Sequence, residues 1–196
     1  MTHRRMTCSV ALVVACLLTR DVLERTMWLQ MLVQIPLLIA AGVIASRAIS
    51  SERLWLGRWN RQGMSGLLLT AGGVAFWMIP WLLDAAVEHV GIDAIKAVSL
   101  WTVGVVGALS WRAAGAIVQL FVLGSMAWMT ATVGLLLLDA PIRLCVNYAA
   151  SDQRVAGYGL LVATLAVVVK ALLRASDVLV FSADVEAPLS AHLDTL

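Results

Sequence analysis

The side chains best suited to hold a soft metal are Met27, Met78 and Cys145, with His89 close by in the pattern. Thioether and thiolate donors favour copper(I). Met31 falls one helical turn after Met27, on the same face. Packing is the alternative for each methionine, because methionine fills the irregular gaps of kinked helix interfaces. Met126 and Met129, beside Trp128, read as packing. Asp84, Glu88 and His89 form a short acidic group that can take a metal or sit in a solvated loop. Asp152 and Gln153 precede a helix, where Ser151 or Asp152 would cap free backbone amides. There is no Walker loop, no HExxH and no Ser-His-Asp arrangement, so no enzymatic activity is expected. The histidines are His3, His89 and His192, all outside the apolar runs, which excludes a haem held by two buried histidines.

These residues must be positioned by helices in a bilayer. Of 196 residues, 61% are hydrophobic and 13% charged. Soluble domains are about 45–50% apolar and about 25% charged. The formal charge of +2 comes without a basic stripe or finger spacing, so no nucleic-acid partner is expected. Cys8, Cys16 and Cys145 have no paired spacing and define no disulfide framework.

Five apolar stretches, 27–45, 63–83, 95–111, 115–138 and 155–173, approach the roughly 20 residues a spanning helix needs. A sixth, 6–18, follows Arg4 and Arg5. It reads as an uncleaved first helix, although its length and the "VVAC" at 13–16 also suit a signal segment. Backbone in lipid must bond to itself, so these stretches are helices. The expectation is an all-α polytopic membrane helix bundle with about six transmembrane helices. Residues 1–175 would form the bundle and 176–196 a surface tail. Pro36 and Pro80 should kink their helices. Gly72, Gly73, Gly104, Gly107 and Gly124 would allow close helix approach, and Gln30, Gln34 and Gln119 would bond across helices. No acid lies at mid-span, which argues against a proton-coupled carrier.

With six crossings, nine Lys and Arg fall on the side of the N-terminus and five on the other. The positive-inside rule then puts both termini in the cytoplasm. Met27, Met78, Asp84, Asp93, Lys96 and Cys145 would gather at the opposite, outer end.

Four blocks carry a resemblance. They are "MWLQMLVQIPLLIAAG" (27–42), "FWMIPWLLDAAVEH" (76–89), "VSLWTVGVVGALSW" (98–111) and "DAPIRLCVNYAASDQRVAGYGLL" (139–161). Together, over about residues 20–175, they resemble the CtaG-type membrane proteins, assembly factors of bacterial cytochrome c oxidase implicated in copper supply. Trp77, Pro80, Asp84, Asp152, Gln153 and Gly157 stand at motif-type positions. The family's histidines fall near Met27, at Met78, and around Asp93 and Ala97, so the usual copper-ligand set is gone. The resemblance implies a bacterial inner-membrane protein with other membrane subunits, an oxidase or another complex, as partners. A copper(I) site would draw on Met27, Met78, His89, Asp93 and Cys145. Three readings stay open: metal handling or assembly, an accessory structural subunit that has lost its metal, and a transporter.

Overall fold

The structure, a computed structural model, describes residues 2–49, 60, 62–140 and 148–193, without the side chains of Thr2, Ala150 and 177–193. Cys145 therefore lies outside the described residues, as do residues 50–59 and 61 between the 27–45 and 63–83 apolar stretches. The described chain is all-helical. In order, the helices are α1 (Thr2–Leu18), α2 (Arg20–Leu23), α3 (Met27–Ser46), α4 (Met64–Trp77), α5 (Pro80–Glu88), α6 (Val90–Ala113), α7 (Ala116–Asp139) and α8 (Ala150–Leu193).

Four of them are long and apolar enough to cross a bilayer: α3, α6, α7 and the Ser151–Ser176 part of α8. The pair α4 and α5 makes a fifth if it is one broken span. The six crossings expected from sequence thus reduce to four or five on length and composition. The shortfall is α1, whose 17 residues give about 25 Å, less than the roughly 30 Å hydrocarbon core. At its other end, α8 runs through residues 175 and 176 without a break.

Pro80 does more than kink its helix. Met64–Trp77 and Pro80–Glu88 meet at 68°, and Ile79 between them is extended (φ −70°, ψ 121°). A residue before proline is driven out of the helical region by the proline ring, so α4 ends and proline starts α5 at a position that suits it. Pro36 behaves differently. The turn Gln30–Gln34 before it is a π-helix, in which the Ile35 amide donates to the Gln30 carbonyl. Proline lacks an N–H and crowds the carbonyl four residues back. The wider turn accommodates that crowding, and α3 continues.

Small residues set the helix spacing. A Cβ on Gly42 would lie 2.9 Å from Gly104 Cα, and one on Gly104 would strike the Ile39 carbonyl, so α3 and α6 cross backbone to backbone. Gly73 and Gly107 abut Val103 and Thr70 across α4 and α6. Gly134 and Gly157 do the same for α7 and α8, where a Cβ on Gly157 would come within 2.8 Å of Leu138. Gly72 and Gly124 have nothing within 4 Å and mediate no approach. The central core gathers Met27, Met31, Leu38, Leu83, Leu100, Leu137 and Tyr148. Short α1 docks into this bundle through a polar stitch. Buried Ser9 donates to the Ala41 carbonyl at 2.7 Å and accepts from Trp101 Nε1 at 2.9 Å.

Candidate functional site

The α2–α3 turn, the π-turn of α3 and the first turns of α6 close around one ammonium. Lys96 is 0% exposed, Asp93 1% and Glu24 7%. Lys96 Nζ lies 2.7 Å from Glu24 Oε1 and 2.8 Å from Asp93 Oδ1. It also donates to Gln34 Oε1 at 3.2 Å, and Gln34 Nε2 donates to Glu24 Oε1 at 3.3 Å. One turn back, Gln30 Oε1 accepts from the Tyr148 hydroxyl at 2.7 Å. The π-turn thus carries two fully buried amides, one serving the ion pairs and one serving α8's approach.

The backbone explains the placement. Asp93 is in the first turn of α6, where the helix's exposed N–H groups favour negative charge. Lys96 follows three residues later on the same face, which lets its ammonium fold back over Asp93. Glu24 arrives from a separate element, at the end of α2. With all three ionised, the cluster carries two negative charges and one positive. Burial pushes the Glu24 carboxyl above its usual range, against the opposing pull of Lys96, and nearby Asp93 adds to the rise.

Asp93 Oδ1 is within ion-pair distance of Lys96 but out of line for a hydrogen bond, and Asp93 Oδ2 has no hydrogen-bond partner among the described residues. The same is true of the Gln30 amide nitrogen. The short Nζ–Oδ1 distance makes this a strong ion pair all the same, because Coulomb attraction depends on separation far more than on angle.

The residues named from sequence separate into groups. Asp93 belongs to the ionic cluster. Met27 is fully buried in the apolar core, and Met78 packs against that core. His89 is exposed and precedes α6 without a side-chain cap. Among the described residues, no three His, Cys, Asp or Glu side chains are close enough to hold a metal. Of the donors expected for copper(I), Asp93 pairs with Lys96, His89 is at the surface, and Met27 and Met78 belong to the apolar packing.

The motif-type positions have structural work. Trp77 is buried and donates to Ser99 Oγ at 2.7 Å. Gln153 donates to the Leu137 carbonyl at 3.0 Å, joining α7 to α8. Asp152 lies in the first turn of α8, Asp84 is half-buried on α5, and Gly157 sets the α7–α8 spacing. Gln119 bonds the Trp111 and Ala114 carbonyls. The residue that sequence reading missed is Glu24. Its setting, "TRDVLERT", looks like a solvated connector, and only the fold turns it inward.

No protein-family model matches this chain, no curated protein matches it, and no solved structure matches it.

Proposed function

We propose that this protein is a metal-free accessory or assembly subunit of a larger, respiratory-type membrane complex, built on a scaffold akin to that of the CtaG-type factors. One observation carries the reading: the Lys96 ammonium held between Glu24 and Asp93. In the resembled family, histidines stand near Met27, at Met78 and around Asp93 and Ala97. Here Met27, Ala97, Asp93 and Lys96 are all buried where α3 meets the start of α6. A resident cation of the protein's own replaces the one that histidines would have held. Such an ion pair orients elements without needing a ligand, and buried polar groups of this kind fix register in several systems.

The same reading puts α1 across the bilayer as a sixth crossing, supported by its Ser9 stitch to α3 and α6. Both termini are then cytoplasmic in a bacterial inner membrane. Burial of Lys96 strengthens the charge bias, because one of the five cations on the outer side is then not at the surface. Copper handling and transport are the readings set aside.

Gentle detergent extraction of native membranes tests this. The chain should elute with other membrane subunits and carry copper well below one per chain. Elution of the chain alone with one copper(I) each supports copper handling and overturns the proposal.

A further inference from the structure

The two halves of the α7–α8 hairpin are seated differently. Its connector end is held: Tyr148 bonds Gln30, Gly159 abuts Leu32, and α8 buries Gln153, Ala156, Gly157 and Leu160. From 161 to 176 no α8 side chain is buried. Where the hairpin stands away from α3 and α6, a cleft of about 450 Å³ opens, floored by apolar residues such as Ile39, Val43, Leu123 and Met126. That volume falls in the range of small-ligand sites, about 300–1,000 Å³.

One end of this cleft is cationic. Arg47, at the end of α3, Arg112, in the last turn of α6, and Lys170 of α8 line it. Lys170 also lines an adjoining pocket with Trp111 and Arg174. Arg112 reaches only Ser46 Oγ at 3.5 Å, and Arg174 reaches Gln119 at 3.2 Å. Among the described residues none of these four cations has an acidic partner. They lie at the opposite end of α3 and α6 from the Glu24–Lys96–Asp93 cluster.

We infer that this cleft binds one anionic phospholipid, its phosphate at Arg112, Lys170 and Arg47 and an acyl chain along the Val43–Leu123–Met126 wall. An apolar trough capped by cations that have no acidic partner among the described residues matches an amphiphile with an anionic head. A bare phosphate would leave the trough unfilled, and an apolar helix would leave the cations unpaired. Basic pockets between transmembrane helices recur as anionic-lipid sites.

The test is native mass spectrometry of the full chain released from nanodiscs of phosphatidylglycerol mixed with phosphatidylcholine. The protein should retain one phosphatidylglycerol under activation that strips phosphatidylcholine, and added inorganic phosphate should not displace it. Arg112→Gln with Lys170→Gln should weaken retention about 30-fold. Arg154→Gln, an exposed cation at the connector end of α8, should not. Leu123→Trp should weaken retention with all charges in place. Helical circular dichroism checks that each variant is folded. Equal retention of both lipids, no effect of the charge variants, or displacement by phosphate overturns the proposal, as does a co-purified protein chain crosslinked into the cleft.

Discussion

Lys96 is held by two carboxylates and one amide, and its removal leaves both carboxylates buried without their cation. Breaking a buried ion pair by deleting one partner costs about 3–5 kcal/mol, whereas replacing the whole set with neutral groups of similar size can be nearly free. Lys96→Met should therefore melt far below the parent in detergent, and adding Glu24→Gln and Asp93→Asn should recover most of the loss. An unchanged melting temperature for Lys96→Met would mean that the cluster is hydrated. Glu24 adds a pH dependence. Burial raises its folded-state value, so the folded form holds its proton above the pH at which the unfolded chain releases it. That contribution is complete below the usual carboxylate range and is lost as pH rises through the raised value. Melting measured across that window should fall with rising pH in the parent and stay flatter in Glu24→Gln. A parent profile that climbs through the window contradicts the assignment.

Among the helices, the α3–α6 crossing is the most demanding contact, since Gly104 has the Ile39 carbonyl where a Cβ would be. Overpacking a close contact costs about 1–3 kcal/mol. Gly104→Leu should cost at least that much, read as a lower melting temperature, while Gly124→Ala, facing open space, should be neutral or slightly stabilising. Equal effects at the two sites would refute the crossing. Sequence made part of this legible. Length and hydropathy located the apolar stretches, but small size alone cannot say which way a glycine faces. Gly73, Gly104 and Gly107 mediate contacts, whereas Gly72 and Gly124 do not. Two prolines that look alike in sequence act differently: Pro36 is absorbed by a π-turn, and Pro80 breaks its helix. In the site, Asp93, Lys96, Gln30 and Gln34 were visible as polar groups in or beside apolar runs. Their convergence was not, because Glu24 comes from a segment whose composition is that of an exposed loop.

At the scale of the molecule, burial is uneven. About 44% of the spanning window is buried in α3 and in α6, against 17% in α7 and in α8. Helices α7 and α8 thus leave more of their apolar surface uncovered than α3 and α6 do, including Ile117, Phe121, Trp128 and Leu165. Lipid covers such a surface in a bilayer, and under the proposed accessory role partner subunits would cover part of it. The count of crossings bears on the same picture. If α1 crosses, a cysteine introduced by His3→Cys in a background free of Cys8, Cys16 and Cys145 should react with an impermeant maleimide only from the cytoplasmic side. Labelling from the outside would leave α1 as a surface helix and reduce the crossings to five.

In the proposed reading an ammonium of the protein's own, Lys96, fills the place a metal would take. Equilibrating the purified full chain with a buffered copper(I) chelate and counting metal per chain tests this most directly. The protein should emerge without stoichiometric copper, and Met27→Ala with Met78→Ala should change nothing in that count. One copper(I) retained per chain, and lost in the double variant, would contradict it.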